Sequence, residues 1–353
     1  MLELADFLLP VLRAGEPVAV VTVIRVARSA PRGPGAAMAV RRDGSVIGSI
    51  SGGCVEGDAV LLATQVLATG RGVVASLGFS DEAAHAAGLA CGGSVDVVVH
   101  RIDPGDEVAR TVLDIGDGQS ARVGLVVSGP AVGRLVAGDG LPDGTRILEA
   151  AYDGADVFVV QRDPRRRLVI AGAGEHAIAL CRVASSAGFA VTVCDVWERL
   201  VTPERFPTAE RLAVGAPAEH LDDLVGPDPA RATVCVLSHD ERVDVPTLAA
   251  ALRRGVGFVG AMGARGTVAH RAALLSAAGV EAEEIARIHA PLGLDLGGSS
   301  PEATAVSALA EIVAAQHGGS ARPLRELSGP LHRRAASDAC PLPSGVPALA
   351  HSV

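Results

Sequence analysis

Apolar residues follow two rhythms along this chain. Short, nearly unbroken runs have the length and composition of strands buried on both faces: PVAVVTVIRVA at 17–27, LVIAGAG at 168–174, VTVCDV at 191–196, ATVCVLSHD at 232–240 and GFVGAMG at 257–263. Longer stretches mix apolar and polar positions at helical spacing: LELADFLLPVLRAGE at 2–16, VEGDAVLLATQVLATG at 55–70, VPTLAAALRRG at 245–255 and TVAHRAALLSAAG at 267–279. In the C-terminal half the two kinds alternate, which predicts a parallel sheet with helices on both faces.

The N-terminal half is less regular. AAMAVRRDGSVIGSI at 36–50 reads as a hairpin turning at Asp43-Gly44, and SVDVVVH at 94–100 as a further strand. Between 103 and 165, VGLVVSG, GRLVAGDG, TRILEA and ADVFVVQ suggest short strands joined by Gly/Asp turns that extend the first domain. SSPEATAVSALAEIVAAQHG closes the C-terminal domain as a long helix, with Ser300 as N-cap, Pro301 in the first helical position and Gly318 at its end. The expected organisation is an α+β domain over 1–165, a Rossmann-type α/β domain over 166–318, and a mobile tail over 319–353 that is rich in Pro, Ser and Arg.

Composition narrows the functional classes. A formal charge of −9 argues against non-specific nucleic-acid binding, which relies on Lys and Arg to neutralise phosphates. Asp, Glu and Arg interrupt every apolar stretch before it reaches membrane-spanning length, and MLELADFLLP lacks the basic opening of a secretory signal. Six cysteines in 353 residues are too few for a disulfide scaffold, so the cytoplasm is the expected compartment. Without CxxC or HExxH, no dedicated zinc site is indicated.

Three places carry candidate chemistry. Gly172-Ala173-Gly174-Glu175-His176-Ala177 follows a strand, opens a helix and fits G-x-G-x-x-A, with Asp195 ending the next strand. In a dinucleotide fold the glycines allow a tight turn and close approach to a pyrophosphate, and the acid takes ribose hydroxyls. Glu175 would sit beside that pyrophosphate and repel it, so a Rossmann scaffold without a tightly held nucleotide is the standing alternative. His239, at the end of strand ATVCVLSHD, lies where open α/β sheets bind ligands; the plainer reading is that Asp240 caps a turn and His239 bonds locally.

The third place is Ser51-Gly52-Gly53-Cys54-Val55-Glu56, where a strand turns into a helix. A thiol beside free N–H groups at a helix start favours thiolate, a nucleophile and soft-metal ligand, and the same N–H groups suit a phosphate. Glu56 opposes the thiolate or acts as an acid/base group. The alternative is a small buried cysteine with glycines that only turn the chain. Cys91-Gly92-Gly93 repeats the combination of a thiol and two glycines, whereas Cys181, Cys194 and Cys235 lie in apolar runs and read as core.

Taken in order, SAPRGPGAAM, RRDGSVIGSISGGCVE, GLACGGSVDV, VIAGAGEHA, PERFP, LSHDERVD, FVGAMGAR and APLGLDLGGSSPEATAVSALAEIVA resemble the xanthine dehydrogenase accessory factor (XdhC/CoxI) family over about residues 1–318. The resemblance implies a homodimeric chaperone that binds molybdenum cofactor and helps a cysteine desulfurase to sulfurate it. It also implies delivery of the cofactor to a xanthine dehydrogenase- or CO dehydrogenase-type molybdenum hydroxylase. It puts Cys54 at the family's cofactor-binding cysteine, in contact with the molybdenum end, with Cys91 a second candidate. The glycines of the SGG and CGG turns would hold the pterin or its phosphate. Two departures weaken nucleotide binding: Ala264 stands where a serine is usual, although Arg265 remains, and Trp197 stands where an arginine often follows the strand-end acid. The reading from a different class is an NAD(P)-dependent oxidoreductase with Cys54 or His239 near the nicotinamide.

Overall fold

A computed structural model describes residues 1–27, 31–78, 94–116, 119–137 and 140–328. They form two compact units, Met1–Pro164 and a second from Arg165 on.

The first unit opens with a 3-10 turn, Leu2–Leu4, and helix α1, Ala5–Arg13. Strand β1, Val18–Ala27, is followed by the hairpin of β2, Ala37–Val40, and β3, Val46–Gly48. The hairpin pairs Val40 with Val46, and Gly44 takes φ +80° in its turn, as Asp43-Gly44 predicts. Helix α2, Glu56–Thr69, ends on left-handed Gly70, and then come β4, Val73–Gly78, and β5, Ser94–Ile102. These strands form one antiparallel sheet in the order β3-β2-β1-β5-β4.

This sheet is covered on both faces, which is why β1 reads as an unbroken apolar run. Val21, Val23, Val97 and Val99 pack with Ala59, Ala63 and Val66 of α2, while Val20, Ile24, Val98 and Ile102 share a core with Leu8 and Leu12 of α1. A bulge between Val23 and Arg25 resets the alternation, so Val26 lies on the α2 face and Arg25 meets Asp96 at 2.8 Å.

Helix α3, Glu107–Leu113, leads to a second antiparallel sheet. Its strands are β6, Ala121–Val126, β7, Leu135–Val136, β8, Arg146–Tyr152, and β9, Ala155–Arg162, in the order β7-β6-β9-β8. Val123, Leu125, Phe158 and Val160 join the core that holds α1. The short strands expected after 103 are present within this unit. Helix α3 was not expected; Asp106 starts it by accepting from the Ala109 N–H at 2.9 Å.

The second unit is a Rossmann-type domain built on a parallel sheet. Strand β10, Arg167–Ala171, leads into α4, Glu175–Ser186, followed by β11, Ala190–Asp195, β12, Arg211–Val214, and α5, Leu221–Val225. Then come β13, Thr233–Val236, α6, Glu241–Arg253, β14, Phe258–Ala261, and α7, Arg265–Ala277. The short α8, Ala282–Ile285, and β15, Ile288–His289, precede α9, Pro301–His317. The strand order is β12-β11-β10-β13-β14-β15. Leu168 and Ile170 pack with residues of α4 and α9 on one face; Val169 and Ala171 pack with α5, α6 and α7 on the other. Chain order reverses between β10 and β13, the point at which such sheets leave a crevice for ligands. Ser300 caps α9 by accepting from the Ala303 N–H at 3.1 Å, and the described part of the tail holds a 3-10 turn, Leu324–Glu326. Residues 329–353, with Cys340, lie outside the described residues.

Candidate functional site

The loop from Ser49 to Val55 joins β3 to α2 and displays Cys54 to solvent, so the alternative of a buried thiol does not hold. Cys54 directly precedes Val55, the residue that starts the helix. Gly52 and Gly53 take φ +87° and +122°, conformations that strain any residue with a Cβ. A Cβ at Gly53 would meet nothing within 4 Å, so the turn geometry alone requires glycine there.

These left-handed residues turn successive N–H groups toward one point, and Glu56 fills it. Its Oε1 accepts from Ser49 Oγ at 2.7 Å, Ile50 N at 3.2 Å, Ser51 N at 2.9 Å and Gly52 N at 3.0 Å. Its Oε2 accepts from Ser51 Oγ at 2.6 Å, Gly53 N at 2.8 Å and Val55 N at 3.2 Å. Burial disfavours the charged carboxylate, but the bonds from Ser51, Ser49 and the backbone outweigh it and bring the pKa down to about 2. Both oxygens of Glu56 are thus engaged by its own turn, which favours the carboxylate form. The loop N–H groups read as a phosphate cradle donate to this carboxylate instead.

Ser51 extends the arrangement to the cysteine. Its hydroxyl donates to Glu56 and accepts from Cys54 N at 3.1 Å and Val55 N at 3.2 Å. Arg32 donates to the Ser49 carbonyl at 2.7 Å and pairs with Glu3 at 2.6 Å, tying the PRGPG segment to the start of the same loop. Sequence reasoning left out Ser49 and Arg32; a serine two residues before the SGG turn was the available signal for the first. Cys91, Gly92 and Gly93 lie outside the described residues. Cys181, Cys194 and Cys235 are buried, as expected; burial pushes the Cys194 thiol up to about 11 and raises Cys181 and Cys235 as well.

In the second unit, Gly172, Gly174, Asp195 and His239 converge at the C-terminal ends of β10, β11 and β13. Gly172 has φ +111°, and a Cβ there would lie 2.8 Å from the Ser238 nitrogen, so it permits contact between two neighbouring strand ends. Gly174 caps α4 with extended backbone and open space at its Cβ position. Ala177 is fully buried in the face that carries α4, where a small residue lets helix and sheet approach.

Asp195 is buried, and both of its oxygens are engaged: Oδ2 accepts from Ala173 N at 2.8 Å and Oδ1 from Trp197 N at 2.9 Å. It braces the glycine loop against its own turn and retains acceptor capacity for a further donor. Arg205, from the PERFP segment, donates to the Ala173 carbonyl at 2.9 Å and approaches Glu175 at 3.4 Å. The carboxylate expected to repel a pyrophosphate thus has a counter-ion that sequence reasoning did not identify.

An open cleft of about 650 Å³ is lined by Asp195, Trp197, Ser238, His239 and Arg242. Trp197 is 68% exposed beside it. Asp240 caps α6 by accepting from Arg242 N at 3.0 Å, as the plainer reading of the His239-Asp240 pair expects. Beneath the same loop, Ser238 donates to buried Asp244, which also pairs with Arg271 at 3.3 Å. Burial raises the Asp244 carboxyl against the opposing pull of Ser238 and Arg271. Ala264 starts α7 without a side-chain cap. Among the described residues no cluster of His, Cys, Asp and Glu is arranged to hold a metal ion.

Comparison with known proteins covers both units. Residues 11–78 match the XdhC and CoxI family, and residues 168–312 match the XdhC Rossmann domain. The Escherichia coli molybdenum cofactor insertion chaperone PaoD is 28% identical over 87% of this chain and 86% of its own length. A Bacillus subtilis protein, named as a probable xanthine dehydrogenase subunit, is 26% identical over 84% of this chain and 93% of its own. The uncharacterised E. coli protein YqeB is 32% identical over 51% of this chain, and the match spans only about a third (33%) of YqeB. A crystal structure of a Bacillus halodurans protein described as a xanthine dehydrogenase shares the fold, with a TM-score of 0.73, 23% identity, and coverage of 89% of this chain and 96% of that one.

Proposed function

The chain belongs to the XdhC and CoxI family, and from that premise we propose that it is a molybdenum cofactor-binding maturation factor. In this reading it receives the cofactor, supports its sulfuration by a cysteine desulfurase, and passes it to a molybdenum hydroxylase of the xanthine or CO dehydrogenase type. The cofactor is cargo. The name of the PaoD relative, an insertion chaperone aligned over most of both chains, supports this role.

The observation that carries the reading is the placement of Cys54, an exposed thiol on a turn whose two preceding residues have no side chain. A thiolate suits a soft molybdenum centre or a sulfur in transit, and Gly52 and Gly53 leave room for a flat pterin beside it. The N–H groups of Ser51, Gly52, Gly53 and Val55 are committed to Glu56 and that of Cys54 to the Ser51 hydroxyl, so in this reading the phosphate end of the cargo is held by other residues. The decisive experiment is molybdenum and pterin analysis of protein purified anaerobically from a molybdenum-replete host. Cys54→Ala is expected to retain less than about a tenth of the wild-type cofactor, the loss of roughly 1.4 kcal/mol or more of binding. Wild-type content in that variant would remove Cys54 from the site.

The second unit favours a further reading, a nucleotide-binding role with NAD(P)-dependent oxidoreductase activity as its enzymatic form. It rests on the cleft at the switch point, where Asp195 and His239 lie beside exposed Trp197. Titrating the fluorescence of Trp197, the only tryptophan, with NAD and NADP tests it. Saturable quenching supports nucleotide binding, and turnover of the bound dinucleotide separates an enzyme from a chaperone.

A further inference from the structure

The feature of the Cys54 turn that the proposed function does not use is the carboxylate at its centre. Glu56 is the first residue of α2, yet its side chain reaches back across the turn and collects donors from Ser49, Ile50, Ser51, Gly52, Gly53 and Val55. Ser51 is the relay: one hydroxyl donates to Glu56 and accepts the Cys54 and Val55 N–H groups. The backbone on both sides of the cysteine is thereby fixed to a single internal anion, while the thiol itself faces solvent.

We propose that Glu56 is the positioning residue of the Cys54 site, an internal anion that occupies the oxyanion-binding geometry of the turn and presents the sulfur outward. Two consequences follow from hydrogen-bond geometry. External phosphate or carboxylate does not compete for the turn, because a covalently attached acceptor already satisfies its donors. Cys54 therefore engages its partner through sulfur alone, and the ligand class that fits is a soft, thiophilic centre, a metal–sulfur group or a sulfane sulfur, rather than an oxyanion. This deepens the maturation-factor reading and rests on it only for the identity of that centre; the positioning role is independent of any cofactor.

The test uses the full chain without cofactor and follows iodoacetamide alkylation of the Cys54 peptide by mass spectrometry, with acetate and inorganic phosphate as anion probes. Wild-type labelling is expected to be insensitive to either anion at tens of millimolar. Glu56→Ala is expected to change the labelling rate at least threefold, and acetate to restore it toward the wild-type rate by refilling the vacated position. Glu56→Asp, with the carboxylate one methylene short, is expected to fall between them without added anion. A role confined to folding would not produce rescue by acetate. Wild-type labelling in Glu56→Ala, a change that acetate leaves untouched, or protection of the wild type by phosphate each overturns the proposal. If the alanine variant does not fold, Glu56→Asp decides alone: an altered rate supports the proposal and the wild-type rate refutes it. Because no cofactor is present, this result stands apart from the molybdenum content of Cys54→Ala, and either proposal can fail without the other.

Discussion

Two strand-to-helix turns in this protein share one local formula and use it in opposite ways. Ser51-Gly52-Gly53-Cys54-Val55-Glu56 and Gly172-Ala173-Gly174-Glu175 each combine glycines with a glutamate as the first residue of the following helix. In the first, the glutamate folds inward and takes the donors of its own turn. In the second, Glu175 points outward to Arg205, and the turn is braced by Asp195 from the next strand, which accepts the Ala173 N–H. The difference arises from backbone geometry and neighbours. Consecutive left-handed glycines and two serine hydroxyls make a pocket for a carboxylate at one turn. At the other, Gly174 is extended, and a neighbouring strand supplies the acid. A glutamate beside a glycine turn thus signals an occupied anion cradle in one case and a solvent-facing ion pair in the other.

The comparison can be broken first at the Rossmann turn. Gly172→Ala places a Cβ 2.8 Å from the Ser238 nitrogen at φ +111°, and is expected to cost about 2–4 kcal/mol. Gly174→Ala, with nothing near its Cβ, should cost under about 1 kcal/mol, within the range for an N-cap change. Urea unfolding of the two variants checks this, and equal losses would mean that close approach does not explain the first glycine.

At the other turn, Glu56→Gln is expected to cost about 1–3 kcal/mol near neutral pH, because an amide cannot accept from all of the converging donors. The folded-state pKa of Glu56, about 2, lies below its ordinary value of 4.5, so its stabilisation is complete above about 4.5 and fades as pH falls toward 2. The stability gap between wild type and Glu56→Gln should therefore narrow across that interval, as chemical unfolding at stepped pH would reveal. A gap independent of pH would mean that the variant acts through something other than the carboxylate charge.

An effect as small as that of Gly174→Ala is expected at Glu175. Its bond to Arg205 is long and exposed, so Glu175→Ala should change stability by no more than about 1 kcal/mol. A loss as large as that of Glu56→Gln would erase the distinction between the turns. Where Glu175→Ala tightens nucleotide binding in the Trp197 titration, like-charge repulsion at the glycine loop is measured directly.

Much of the fold was legible because its signals are local. Asp43-Gly44 marked the hairpin, Gly70 and Gly318 ended helices in left-handed conformations, and Ser300-Pro301 opened α9. Alternating strand and helix patterns pointed to the doubly covered parallel sheet. Elements with weaker local signals were missed. Helix α3 is seven residues long among strands, and β12 and β15, with four and two residues, lie at the sheet edges, where pairing rather than periodicity makes them strands. The ordered motifs named the family, and the comparisons agree with it.

The sequence by itself therefore determined the two kinds of domain, the family, and the buried character of Cys181, Cys194 and Cys235, because propensity, periodicity and turn chemistry act over a few residues; the exposure of Cys54 it left open. Only the tertiary structure decided where the charged side chains of the turns go. Glu56 curls back into seven donors, Arg205 crosses from a distant segment to the glycine loop, and Asp195 serves the backbone before any ligand. A long polar side chain commits to whichever partners the folded backbone brings within about 3 Å, and that proximity is not written in residue order.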